Sequence, residues 1–162
     1  MAIREILMLG DERLYEVSEV IRDREKIQQV AADLRDTMAH FVEEKGFGRA
    51  IAAPQIGEAV RMIYMNIEGK ETVFVNPEIV HKSQETFWMW DDCMSFPGLE
   101  VHLQRHGSIT VTYEDLEGKP HEETFTGDKS ELFQHEFDHL NGILATSHVR
   151  SSKDMQMNLD KM

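Results

Sequence analysis

Asp128-Lys129-Ser130-Glu131-Leu132-Phe133-Gln134-His135-Glu136-Phe137-Asp138-His139-Leu140-Asn141-Gly142 is the stretch on which the reading turns. It predicts a helix from about Lys129 to Leu140. Asp128 reads as its N-cap, with Glu131 three residues later as in a capping box, and Asn141-Gly142 reads as its end. Residues four apart share one face of a helix, so the imidazoles of His135 and His139 can reach a single metal ion. Glu136 falls beside them, where a carboxylate can take a proton from water and return it to a leaving group. The competing reading of the pair alone is a surface helix with two solvated histidines.

Upstream, Ile27, Val30, Ala31, Leu34, Met38, Phe41 and Val42 recur at helical spacing and predict a long amphipathic helix over Arg24–Lys45. Asp23 would cap it and Gly46 would stop it. Between the two helices lie β-rich runs at Val60–Ile67, Thr72–Val80, Glu85–Trp90, Leu99–His102 and Ser108–Tyr113. The turn Leu116-Glu117-Gly118-Lys119 then leads into His121–Thr126. Helix, many strands, then helix predicts an α+β fold, with residues 1–162 as one domain. Trp88, Trp90, Phe74 and Phe87 read as core, the methionines as filler of core gaps, and Arg105 as a structural ion-pair partner. The polar tail Ser151–Met162 reads as disordered or as a short helix.

The 162 residues carry a net charge of −13, which argues against binding nucleic acid, whose phosphates would be repelled. No apolar run is long enough for a membrane helix, and the N-terminus lacks the pattern of a secretory signal. The expected setting is therefore the cytoplasm, or an organelle matrix if a transit peptide has been removed. A single cysteine, Cys93, excludes an internal disulfide and leaves three readings: packed core residue, nucleophile or metal ligand. A metal held by two histidines needs a third protein ligand and an open position, and Cys93 is the upstream candidate. Gly46–Gly57 is a run of small residues where backbone can approach a ligand closely. Gln55 within it offers an amide donor able to polarise a carbonyl.

Three segments in this order resemble the signature motifs of the peptide deformylase family: Ala52-Ala53-Pro54-Gln55 after a glycine-rich run, Asp91-Asp92-Cys93-Met94-Ser95, and Gln134-His135-Glu136-Phe137-Asp138-His139. The resemblance implies the deformylase fold, with antiparallel strands around a central metal-binding helix. It implies Cys93, His135 and His139 as metal ligands and Glu136 as general base and then acid. It also implies Gln55 and the Met94 backbone N–H as an oxyanion hole. The implied metal is Fe2+, replaceable by Zn2+, Ni2+ or Co2+. The implied reaction hydrolyses the formyl group from an N-formyl-methionyl peptide or nascent chain and releases formate, with transient ribosome contact.

The chain departs from the family pattern at the positions that would flank the substrate. Arg49 and Ala50 follow Gly48 where the family has a hydrophobic residue and a second glycine. Asp91-Asp92 replaces Glu-Gly, and Asp128 and Glu131 stand where many relatives are apolar. Gly48, Arg49, Ala50 and Asp92 are the expected substrate contacts, and an Arg49–Asp92 pair across the cleft is one expectation. Two readings compete for Asp128 and Glu131: a changed pocket in which Glu131 makes the side-chain site polar, and, preferred, a capping role for both at the start of the helix. Rival readings are a different N-acyl substrate, a binder of metal or formyl-peptide without turnover, and a general zinc endopeptidase.

Overall fold

The computed structural model describes residues 2–162. Helix α1 (Arg24–Lys45) begins at Asp23, whose carboxylate accepts from the N–H groups of Glu25 and Lys26, and stops at Gly46. Helix α2 spans Gly127–Leu140. The strands are β1 (Ala50–Ala52), β2 (Met62–Ile67), β3 (Lys70–Lys82), β4 (Thr86–Asp91), β5 (Leu99–His106), β6 (Ser108–Glu114), β7 (Pro120–Thr126) and β8 (Met155–Met157). They form two antiparallel sheets, one ordered β1-β2-β3-β6-β7 and the other β4-β5-β8. The α+β expectation holds.

Side-chain alternation explains the layering. Met62 and Tyr64 on β2 point to one face, where they join Val75, Ile51 and the buried stripe of α1. Ile63 and Met65 point to the other, where they meet Phe74, Ile109, Val111 and Phe125, and Phe133, Leu132 and Leu140 of α2. Because helices cover both faces, β2 is apolar at nearly every position rather than at every second one. The polar side of α2 faces the smaller sheet: Gln134 accepts from the His106 N–H, and Arg105 donates to Asp138. Helix α2 is thus central, held by apolar contacts on one side and by polar bonds on the other.

Several expectations are corrected. Thr126, not Asp128, is the N-cap of α2, because the chain is already helical at Gly127. Asp128 lies exposed in the first turn, and Glu131 makes no capping bond, being turned to Arg49 instead. Trp88 and Trp90 are 44% and 41% exposed rather than core, and both stack on His102 along the outer face of β4 and β5. Phe74 is fully buried as expected. The tail is neither disordered nor α-helical. Its Met155–Met157 segment pairs with Leu99–Val101, and short 3-10 turns lie on either side.

Candidate active site

Gln55 sits in a 3-10 turn, Ala53–Ile56, opened by Pro54 and closed at Gly57. Its carbonyl oxygen accepts from the Ala52 N–H at 2.9 Å, which turns the amide nitrogen toward Cys93 Sγ at 3.5 Å and Ser95 Oγ at 3.1 Å. The N-terminal segment ties these two loops from behind, since the Leu7 N–H donates to the Gln55 carbonyl and the Leu9 N–H to the Ser95 carbonyl. Gly48 has φ of 132°, and a Cβ there would stand 3.1 Å from Met94 Cε and 3.2 Å from Val42 Cγ2. A side chain at that position would push the loop off Met94.

Cys93, His135 and His139 converge, with ligand atoms all within 4.8 Å of one another, and all three are buried. A tetrahedral ion with ordinary metal–sulfur and metal–nitrogen bonds spaces its S and N donors about 3.6 Å apart. Cys93 Sγ and His139 Nε2 stand 3.4 Å apart. A thiol and two imidazoles suit a divalent transition metal. Glu136 adds a second sign: its Oε1 is buried with no protein partner among the described residues, as expected for an oxygen that serves a non-protein group. The residues present therefore fit a metal centre.

The ring of His135 is oriented by its neighbours. Its Nδ1 lies 2.8 Å from Asp91 Oδ2, which also accepts from Arg105 at 3.0 Å. Arg105 reaches on to Asp138 at 2.8 Å, and Asp138 meets His148 at 2.9 Å. This confirms Arg105 as a buried structural partner. A carboxylate on Nδ1 fixes the tautomer and leaves Nε2 for a metal. Burial opposes ionisation of Asp91, but His135 and Arg105 outweigh it and hold its carboxyl well below the usual range. Burial likewise opposes protonation of His135, and the Asp91 charge overcomes it, raising that imidazole well above its ordinary value. Burial dominates at His139 and, with His135 nearby, holds it down at about 3, as a neutral lone-pair donor. Burial pushes the Glu136 carboxyl up to about 7.

A cavity of about 420 Å³ opens onto this cluster. Its lining includes Gln55, Cys93, Met94, His135 and Glu136 together with the expected contacts Gly48, Arg49, Ala50 and Asp92. The Met94 N–H donates to no protein acceptor among the described residues. The pairing across the cleft is not the expected one. Arg49 donates to Glu131 at 3.0 Å, while Asp92 pairs with Lys161. Lys161 also lines the cavity and lies over the Phe47 ring. No pattern in the tail pointed to that residue. Asp91, by contrast, stands two positions before Cys93, so a strand entering the cysteine loop was a usable signal.

The sequence profile described as "Polypeptide deformylase" matches residues 3–155. Peptide deformylase of Rhodopseudomonas palustris (strain TIE-1) is 37% identical over 161 residues, covering 94% of this chain and 89% of that protein. A crystal structure of a peptide deformylase from Legionella pneumophila superposes with a TM-score of 0.86 at 36% identity, covering 94% of this chain and 89% of the other. A class I type b peptide deformylase from Acinetobacter baumannii, crystallised bound to Met-Ala-Ser, superposes with a TM-score of 0.81 at 27% identity, covering 91% and 99%. With its cysteine and histidine pair converging in one buried cluster and its profile matched nearly end to end, the chain belongs to the peptide deformylase family, metal-dependent enzymes that remove the N-formyl group from newly made polypeptides.

Proposed function

We propose that residues 1–162 act as one catalytic domain in which Cys93, His135 and His139 hold one divalent ion, Fe2+ in the cell and Zn2+, Ni2+ or Co2+ as substitutes. The observation that carries this is the convergence of the three ligand atoms within 4.8 Å beside the unpartnered Glu136 oxygen. When bound, the ion supplies Lewis-acid activation of water and of the formyl oxygen. Glu136 takes the proton from the attacking water, whose oxygen forms the new bond to the formyl carbon. Glu136 then delivers that proton to the nitrogen as the C–N bond breaks, giving formate and a free amine. Its raised carboxyl, at about 7, suits a group that must both accept and release a proton near neutrality. The Gln55 amide and the Met94 N–H are the donors for charge developing on the formyl oxygen. Asp91 keeps His135 in its ligand orientation.

The substrate in this reading is an N-formyl-methionyl peptide, in keeping with the Met-Ala-Ser bound by the Acinetobacter relative. A nascent chain offers that end as it leaves the ribosome, so transient ribosome contact and a cytoplasmic or organelle-matrix setting belong to the same proposal. Among the described residues no helix is long and apolar enough to cross a membrane.

The test is formate release from formyl-Met-Ala-Ser by protein reconstituted anaerobically with iron(II). Release is expected, with Glu136→Gln slower by about 100- to 10,000-fold. Metal-loaded protein that releases no formate, or a Glu136→Gln variant as fast as its parent, would overturn the assignment.

A further inference from the structure

The tail after β8 reaches back to the cavity and joins two of the loops that line it. Pairing of Met155–Met157 with Leu99–Val101 carries the chain alongside β5. There the Asn158 N–H donates to the Gly98 carbonyl at 2.6 Å, and its side-chain amide donates to Glu100 at 3.2 Å. The turn that follows, Leu159–Lys161, closes with the Lys161 N–H on the Asn158 carbonyl at 3.1 Å. Lys161 is thereby set in the cavity lining. Its ammonium pairs with Asp92 on the cysteine loop and lies 3.5 Å from Glu100 on β5. It also stands 5.2 Å from the centre of the Phe47 ring, on the loop before β1. Phe47 is anchored in turn on Phe41 of α1, edge to face at 5.1 Å. The two loops already approach each other where Gly48 packs against Met94. Lys161 is a second tie between them, one cation shared by a carboxylate on one loop and a ring on the other. A peptide whose formyl group lies at Cys93, His135 and Glu136 occupies the cavity these loops help to enclose.

We propose that Lys161 is a positioning residue for peptide binding: it acts through Asp92 and Phe47, holding the cysteine loop and the loop before β1 at the spacing that grips a formyl-peptide. This rests on the metal-hydrolase reading above and adds to it a residue that touches none of the reacting atoms. Those atoms have other supports, since Asp91 holds His135, while Leu7 and Leu9 hold the Gln55 and Ser95 segments. Loss of the tie therefore weakens binding and spares the chemical step. Lys161 and Asp92 are partly exposed, so salt screens their pair, whereas it reaches the buried pair of Asp91 with His135 much less.

The test is steady-state kinetics with formyl-Met-Ala-Ser amide, an uncharged peptide, so that any salt effect comes from the protein. Iron-reconstituted parent, Lys161→Met, Lys161→Arg, Asp92→Asn and the double variant Lys161→Met/Asp92→Asn are compared at about 0.05 and about 0.5 M KCl. Lys161→Met is expected to raise KM about 3- to 10-fold with kcat within about twofold, the worth of one partly exposed ion pair and one cation–ring contact. Lys161→Arg should restore most of that loss. The parent's KM should climb with salt while that of Lys161→Met does not, and the two single losses should not add in the double variant. A KM unchanged by Lys161→Met, a kcat that falls together with bound metal, an equal salt response in both proteins, or single losses that add in full overturns the proposal. If no peptide is turned over, calorimetric binding of Met-Ala-Ser amide to the metal-loaded proteins separates the two readings. Weaker binding in Lys161→Met upholds the tie while the catalytic reading falls; equal binding overturns the tie as well.

Discussion

Replacing Asp91 by asparagine tests whether the polar bonds behind His135 act on the metal centre or only on the fold. Asp91 is 6% exposed, and its Oδ2 takes bonds from both His135, at 2.8 Å, and Arg105, at 3.0 Å. Asparagine keeps the shape and one acceptor oxygen but removes the charge. Loss of such an orienting partner typically weakens metal binding by about 10- to 100-fold, or about 1.4 to 2.7 kcal/mol. The apo fold should lose less than the about 3–5 kcal/mol of a stranded buried charge, because Arg105 keeps Asp138 at 2.8 Å. Arg105 Nε already has no acceptor among the described residues, so the variant strains a guanidinium with little to spare; a loss of about 1–3 kcal/mol follows. The assay is cobalt(II) titration against a competing chelator, with urea unfolding of the apo protein alongside. Asp92→Asn is the control. Its partner Lys161 and its own side chain are 30% and 32% exposed, so it should cost under about 1 kcal/mol and leave metal affinity alone. Asp91→Asn protein that binds cobalt within about twofold of its parent, or an Asp92→Asn loss as large, would refute the reasoning.

Three further predictions concern the frame around the site. Gly142→Ala should cost about 2–4 kcal/mol in urea unfolding, since φ is +72° and the new Cβ would clash with the Tyr15 carbonyl oxygen. Gly69→Ala, at φ +87° in open space, should cost only the backbone term of about 1–2 kcal/mol, and equal losses at the two sites would sink the steric argument. Phe133→Ala, fully buried against Phe74 and Phe125 with ring centroids at 5.1 and 5.6 Å, should cost about 3–5 kcal/mol; a loss below about 1 kcal/mol would mean the α2 core collapses to fill the hole. Burial, reinforced by Glu71 and Glu123, pushes Tyr64 and Tyr113 up to about 12. The unfolded chain ionises these phenols near about 10, so it sheds protons first, and their stabilisation is complete below that pH and falls as pH rises toward 12. Phenolate absorbance of the folded protein should lag accordingly, and two phenolates appearing in native protein near about pH 10 would contradict it.

What could be read from the chain was local. His135 and His139 share a face by spacing alone, Asp23 and Gly46 bound α1 by short-range chemistry, and the strands from Ser108 to Thr126 show their alternation. Contacts set by distant segments could not be read. Arg49 finds Glu131 82 residues away, and Asp92 finds Lys161 69 residues away, so the expected Arg49–Asp92 pair had no local rule to correct it. The capping box at Asp128 failed because β7 runs directly into α2, leaving Thr126 at the junction. Strand β1 went unseen since its three residues are all buried and show no alternation, and β8 because it depends on a partner more than fifty residues upstream. The tryptophans misled because size was read as burial, whereas the outer face of β4 and β5 supports its own stack on His102.

The last residues of the chain have a practical consequence. Lys161 walls the cavity, and Met162 packs on Gly98, so anything fused after Met162 begins at the rim of the substrate opening. An affinity handle or fluorescent partner there would crowd peptide entry even where it leaves the fold intact. At the other end, the Ala2 N–H is tied to Asp33 on α1. That is nine residues, about 13 Å along the helix, before the cavity-lining Val42. Immobilisation for binding measurements should therefore go through the N-terminal side, and a handle moved from one end to the other should change the measured KM without changing the melting temperature.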